Sequence, residues 1–247
     1  MFIIKEKSFG AGGGEMPHPL VCVPVGGKNS AEISIEISAV LEMPSKPDVI
    51  EWRADSYRDA DYVEMLTFIS EKLPKLPIIF TLRGAKEGGA CKLSESEREE
   101  IYVKAIESGK ADLIDIELRS DINVGLIKAA KKNGVKVIIS FHDFEGMPDV
   151  LPLLREMKEL GCDVAKVAVT PKNREDVFAL MSVCGRFFDE TGGFPAIGIS
   201  MGELGKITRI CGGMFGSVMT FGVLKTATAP GQIDVGALID FISIIGR

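Results

Sequence analysis

Short apolar runs alternate along the chain with longer segments whose apolar residues recur every three or four positions. The runs predict strands near Leu20–Val25, Asp48–Arg53, Pro77–Leu82, Ala111–Leu118, Lys136–Phe141, Asp163–Val169, Phe194–Ser200 and Ser217–Phe221. The intervening segments predict helices near Ala31–Met43, Asp61–Leu73, Ser94–Ser108, Ile122–Lys132, Asp149–Leu160, Asn173–Glu190 and Gly205–Cys211, with a last one near Gln232–Ile245. Local signals agree. Ser94 followed three residues later by Glu97 reads as a capping box. Asn133-Gly134 and Leu160-Gly161 read as helix ends with glycine in the left-handed position. Leu153, Leu154, Met157 and Leu160 recur at helical spacing and predict a buried stripe.

Strands that alternate with helices imply a parallel sheet, because parallel strands need crossover connections. Eight such units in 247 residues fit an α/β fold of one closed (β/α)8 TIM barrel. The competing doubly wound sheet is weakened by the absence of Gly-x-Gly-x-x-Gly after the first strand. No Pro/Gly/Ser-rich linker divides the chain, so residues 1–247 are read as a single barrel domain. The glycine-rich stretch Phe9–Gly14 is read as a turn after a short N-terminal strand that caps the barrel. An extended run follows it rather than a helix, which argues against a phosphate cradle.

Composition narrows the function classes. With 46% hydrophobic and 26% charged residues the chain is an ordinary globular one. No apolar run approaches the roughly 18 residues of a membrane helix, so no membrane partner is expected. The opening Met-Phe-Ile-Ile-Lys-Glu-Lys lacks the form of a signal peptide. A net charge of −6 argues against nucleic acid as a partner but leaves a small anionic substrate open. The five cysteines are Cys22, Cys91, Cys162, Cys184 and Cys211, and no two form a Cys-x-x-Cys pair. Free thiols in a reducing cytoplasm are the simplest reading. With only His18 and His142 present, no zinc site is expected, and His18, between two prolines, is read as surface.

The chemistry gathers at the strand ends. Residues two apart on a strand share a face. Glu51 shares one with Arg53, Thr81 with Arg83, Asp115 with Glu117, and Ser140 with His142, while Lys166 shares one with Val164 and Ala168. In a parallel barrel these C-terminal ends converge on the rim that carries barrel active sites. Lys166, flanked by Val and Ala, would favour a neutral, nucleophilic amine able to form a Schiff base with a ketone. Asp115 or Glu117 would instead pair with it and keep it charged. His142 suits a general acid/base near neutral pH. Arg209, with Lys206, would form a positive patch able to clamp a carboxylate, or would be an ordinary exposed helix arginine. Gly84–Gly89 and Ala227–Gln232 read as rim loops, either simple turns or a closing lid.

Together these stretches resemble type I 3-dehydroquinate dehydratase. The matching motifs are Glu51-Trp52-Arg53-Ala54-Asp55, Thr81 through Gly89, Asp115-Ile116-Glu117-Leu118, Ser140-Phe141-His142-Asp143-Phe144, Ala165-Lys166-Val167-Ala168, Ile199-Ser200-Met201-Gly202 and Ala229-Pro230-Gly231-Gln232. They lie in the family's order over nearly the whole chain. The resemblance implies dehydration of 3-dehydroquinate to 3-dehydroshikimate in the shikimate pathway. It implies Lys166 as the Schiff-base lysine, His142 as general acid/base and Glu87 as its support. Glu51, Arg53 and Arg83 would hold the substrate hydroxyls, Arg209 and Gln232 its carboxylate, and Met201 its ring, with Thr228 in the closing loop. No metal or other cofactor, a homodimer and a cytoplasmic location are implied as well. A class I aldolase would use the same lysine to break a carbon–carbon bond, and an idle binding barrel would have no use for Lys166 and His142. Arg209 with Gln232 favours the dehydratase. Two positions depart from the commoner family pattern: Thr228 stands for serine, and Pro24 falls in the first barrel strand, where several relatives carry a donor.

Overall fold

The computed structural model describes residues 2–5, 7–9, 18–59, 61–225 and 227–245; the glycines at 10–14 lie outside them. Strands β1 (Phe2–Ile4) and β2 (Lys7–Phe9) form an antiparallel hairpin. The chain then alternates: β3 (Leu20–Val25), α1 (Ser30–Glu42), β4 (Val49–Arg53), α2 (Tyr62–Lys72), β5 (Ile78–Thr81), α3 (Glu95–Glu107), β6 (Leu113–Glu117) and α4 (Asn123–Lys132). It continues with β7 (Lys136–Asp143), α5 (Val150–Leu160), β8 (Val164–Val169), α6 (Arg174–Glu190), β9 (Ala196–Ser200), α7 (Gly202–Cys211), β10 (Met219–Val223), β11 (Ile233–Asp234) and α8 (Val235–Ile245).

Strands β3 to β9 pair in chain order and in parallel, and β10 pairs with β3. A parallel bridge from Ala196 to Ser217, with the Val218 amide donating to the Ala196 carbonyl at 2.8 Å, joins β9 back towards β10. The expected (β/α)8 barrel is therefore present. Its strands read as near-continuous apolar runs because both faces are covered. Outward residues such as Ile50, Trp52, Phe80, Ile114, Ile139 and Val167 pack under the helices. Inward residues Leu20, Val49, Ile79, Leu113, Ile138 and Val164 fill the barrel floor.

The hairpin seals that floor, as the expected capping strand does. Phe2 and Ile4 are buried with the inward residues. Lys5 Nζ reaches the Leu76 carbonyl and Asp112, each at 3.0 Å, and Lys7 Nζ reaches Asp48 at 3.0 Å. The Ser94/Glu97 capping box forms, and Gly134 and Gly161 take positive φ at helix ends. In the predicted stripe of α5, Leu154 and Met157 are fully buried, with Leu153 and Leu160 packed against the core.

Four boundaries differ from expectation. Helix α7 begins at Gly202 rather than Gly205, and at Gly205 a Cβ would lie 2.1 Å from the Ser200 carbonyl oxygen. Gly205 is thus a contact glycine inside the helix, not its start. The last barrel strand runs over Met219–Val223 because Ser217 and Val218 are engaged in the closure. Residues Ile233–Asp234 add a short strand beside Gly222 and Val223, so the last helix starts at Val235. Strand β7 runs on to Asp143, which places His142 on the strand itself.

Candidate active site

Two residues above the apolar floor, the inward positions turn polar. Val49 is followed by Glu51, Ile79 by Thr81, Leu113 by Asp115, Ile138 by Ser140 and Val164 by Lys166. All five are buried, and hydrogen bonds tie them into a belt. The Thr81 hydroxyl donates to Glu51 at 3.0 Å, and the Ser140 hydroxyl donates to Asp115 at 2.6 Å. Arg83, just past β5, donates to Asp115 at 2.6 Å and to Ser140 at 2.8 Å.

Asp115 is the centre of this belt. Its second oxygen accepts from Lys166 Nζ at 2.8 Å, and Glu51 lies 3.9 Å from the same nitrogen. Burial pushes the Asp115 carboxyl up, but the Arg83 and Lys166 charges more than offset that and hold it below the usual carboxylate range. The purely apolar surroundings expected for Lys166 are therefore corrected. Val164 and Ala168 do flank it, and the Phe221 ring centroid lies 4.4 Å from Nζ, but a carboxylate meets the amine. Of the two acids that could pair with it, Asp115 does so, whereas Glu117 turns towards Arg98 and the Gly84 amide.

His142 stands one strand away. The register sets Ser140 against Lys166 and His142 against Ala168. Its Nδ1 lies 2.8 Å from Glu87 Oε2, which also accepts from the His142 amide at 3.1 Å. Glu87 ends a tight turn at Ala85–Glu87 that Gly88 closes at φ 77°. Burial pushes the Glu87 carboxyl up to about 7, against the pull of Arg83 and with the push of Glu117 and Asp115. Burial, then the charges of Arg83 and Lys166, holds the His142 ring well below its ordinary value. The imidazole is neutral at pH 7.

A cavity opens above the belt, and nine of the ten residues singled out from sequence line it. They are Glu51, Arg53, Arg83, His142, Lys166, Met201, Arg209, Thr228 and Gln232; Glu87 stands behind His142. Arg53 is clamped by Asp55 through bonds of 2.8 and 3.0 Å. Arg209 is not the ordinary exposed helix arginine of the second reading. It is 1% exposed and donates to the carbonyls of Phe221 at 3.3 Å and Pro230 at 3.0 Å, and its Nε has no partner. Burial lowers its guanidinium to about 10. Lys206 does not join it in a positive patch: it lies on the outer helix surface, 2.8 Å from Glu203. Gln232 turns its carbonyl back onto the amides of Thr228 at 2.7 Å and Ala229 at 3.3 Å.

A family model described as type I 3-dehydroquinase matches residues 21–247. The chain belongs to that family. Membership makes it an enzyme of the hydro-lyase class. It is 38% identical over 255 aligned residues to a 3-dehydroquinate dehydratase of Listeria monocytogenes, covering 99% of this chain and 98% of that one. Among solved structures it resembles type I 3-dehydroquinate dehydratase from Clostridium difficile with covalently modified comenic acid. That match has a TM-score of 0.90 and 33% identity, over 98% of this chain and 96% of the other. The 3-dehydroquinate dehydratase of Geobacillus kaustophilus also matches with a TM-score of 0.90, at 32% identity over 98% and 95% of the two chains.

Against this family background, the sequence reading missed the central place of Asp115 and the contact from Phe221. The face-sharing pattern exposed Asp115 as a strand-end acid, but only the cross-strand register brings it to Lys166. Of the departures, Thr228 keeps its hydroxyl within 3.2 Å of the Gln232 amide nitrogen. Pro24 lies two residues beyond Cys22, where the β3 ladder with β10 ends, so its missing N–H falls past that ladder. His18 is half-buried just ahead of β3. Among the described residues no helix is long and apolar enough to cross a membrane, and no three His, Cys, Asp or Glu side chains cluster to hold a metal.

Proposed function

We propose that this chain dehydrates 3-dehydroquinate to 3-dehydroshikimate through a Schiff base on Lys166, with His142 moving the protons. The observation that carries this reading is the meeting of the Lys166 amine and the His142 ring in one cavity from neighbouring strands. Their Cα atoms are roughly 8 Å apart, from two residues of rise and one strand spacing. That separation suits two groups that act on adjacent carbons of one ring.

The chemistry follows from the residues. The Lys166 amine attacks the C3 ketone, and the carbinolamine loses water to give an iminium. The iminium draws electrons from C2, and neutral His142 removes a C2 proton to leave an enamine. Nδ1 donates to the Glu87 carboxylate, so Nε2 is the basic nitrogen. The enamine expels the C1 hydroxyl, which takes the proton from His142 and leaves as water. Water then hydrolyses the conjugated iminium, releasing product and the lysine amine. Asp115 holds the amine in place, accepting a hydrogen bond from Nζ.

Glu51, Arg53 and Arg83 offer acceptors and donors to the ring hydroxyls, while Met201 and Phe221 give an apolar wall. Arg209 has an unpartnered Nε and a second nitrogen on the Pro230 carbonyl, and turns to the substrate carboxylate. The Clostridium difficile relative, solved with a covalently modified ligand, supports a covalent step. The whole chain serves as one catalytic unit, without a cofactor, in a cytoplasmic homodimer. The test is borohydride reduction in the presence of 3-dehydroquinate, followed by peptide mass spectrometry. A substrate-sized adduct on Lys166 is expected, with dehydration followed by product absorbance. Dehydration with no adduct on Lys166 rules out the lysine mechanism; an adduct without dehydration rules out the activity.

A further inference from the structure

The turn that carries Glu87 hangs from a second buried ion pair, one that no step of the proposed reaction uses. The Gly84 amide donates to Glu117 Oε1 at 2.7 Å, and the same oxygen lies 3.4 Å from Arg83. The other oxygen of Glu117 pairs with Arg98 from α3. Arg98 is 5% exposed and also donates to the Leu82 carbonyl at 2.8 Å and to Glu95 at 2.5 Å. Arg98 thus grips both ends of the β5 exit: directly at Leu82, and through Glu117 at Gly84. Two carbonyl contacts complete the turn, with the Glu87 and Gly89 amides both bonded to the Gly84 carbonyl at 3.1 and 3.0 Å.

A surface helix has no need to drive a guanidinium 5% exposed under a strand end. Burying a charge pair is costly, and such pairs add little net stability compared with apolar packing. What this pair does is fix the backbone from which Glu87 reaches His142. We propose that Arg98 and Glu117 are positioning residues for the Glu87–His142 pair: they set where the Glu87 carboxylate sits and the charge that it meets. The inference rests on the reading of His142 as general acid/base.

The charges around Glu87 give the proposal a signed consequence. Arg83 faces it from the end of β5, Asp115 and Glu117 from β6, His142 from β7, Lys86 from its own turn and Arg119 from the loop after β6. Glu117 pushes the Glu87 carboxyl up, and Arg98 neutralises Glu117. Arg98→Met leaves the Glu117 charge bare, so the acid limb of the kcat profile moves to higher pH. Glu117→Gln removes that charge and keeps an acceptor for Gly84, so the limb moves to lower pH.

The experiment measures kcat, KM and the pH profile for Arg98→Met, Arg98→Lys and Glu117→Gln, with borohydride trapping on each. Expected are a kcat loss of about ten- to a hundred-fold for Arg98→Met with KM little changed, partial recovery in Arg98→Lys, and limb shifts of opposite sign. Lys166 trapping stays at the wild-type level. In a Glu87→Gln background Arg98→Met causes no further loss of kcat. Equal kcat and unmoved limbs in folded variants overturn the proposal, as does a loss that adds fully to that of Glu87→Gln. If Arg98→Met does not fold, the Glu117→Gln limb and the Arg98→Lys kcat decide. A wild type that traps no substrate on Lys166 fails the underlying reading instead, and the two failures are distinct.

Discussion

A single carboxylate holds the buried amine of Lys166. Asp115 is fully buried against two cations, Arg83 at 2.6 Å and Lys166 at 2.8 Å. Asp115→Asn removes the nearest carboxylate of both, leaving only Glu117 at 3.4 Å from Arg83, Glu87 at 3.7 Å from it and Glu51 at 3.9 Å from Lys166, and is expected to cost about 3–5 kcal/mol in a urea melt. The native pairing lowers the Asp115 carboxyl, so its stabilisation is complete above the ordinary carboxylate value of 3.8 and is lost as pH falls below it. Glu87 has the opposite sign. Raised from 4.5 to about 7, it binds its proton more tightly when folded, and stability falls as pH rises through that window. Glu87→Gln is therefore expected to melt higher than wild type at pH 8, by about 1–3 kcal/mol, while losing about a hundred-fold in kcat. The kcat/KM of the native enzyme is expected to rise through pH 7 as Glu87 ionises, and the Gln variant to lose that limb. A flat native profile between pH 6 and 8 contradicts the assignment of Glu87.

At the scale of elements, strand ends and tight turns place the chemistry. The turn after β5 tolerates no side chain at Gly89, where a Cβ would lie 1.9 Å from the Arg83 carbonyl oxygen. Gly89→Ala must move either Arg83 or Glu87. It is expected to cost about 1–3 kcal/mol and to lower kcat more than it raises KM. Steady-state kinetics beside a thermal melt would show this, and an Ala variant with native kcat would contradict the rigid turn. The same turn shows where sequence reading stops. Gly-Gly marks a turn by composition, but the contact that forbids a Cβ comes from the carbonyl of Arg83, six residues back. Strand β11 was likewise hidden. Two residues, Ile233–Asp234, are too short to show a period, and they become a strand only because β10 offers an edge.

Across the whole molecule, stability and chemistry occupy opposite ends of the barrel. The hairpin closes the floor at the N-terminal ends of the strands, and the cavity opens at the C-terminal ends. Phe2→Ala is expected to cost about 3 kcal/mol and to leave kcat/KM unchanged. A chemical melt with an activity assay at low denaturant checks this, and a fall in kcat/KM of the folded variant would tie the hairpin to the site. The eight barrel strands and their connecting helices were legible in the sequence because strands covered on both faces are written as apolar runs. Of the ten residues that meet around the cavity or behind it, Glu51, Arg53, Arg83, His142 and Lys166 were legible from period-two alternation at strand ends and Arg209 from its place after the seventh strand; Glu87, Met201, Thr228 and Gln232 came from the resemblance alone. What only the tertiary structure decided was which charges meet. Asp115 rather than Glu117 pairs with Lys166, Arg209 is buried beneath Pro230 rather than displayed beside Lys206, and Arg98 reaches under a strand end to hold Glu117. Alternation along a strand fixes the face a side chain takes, a local property of the backbone. Its partner across the barrel depends on register, stagger and closure, which exist only once distant strands have paired.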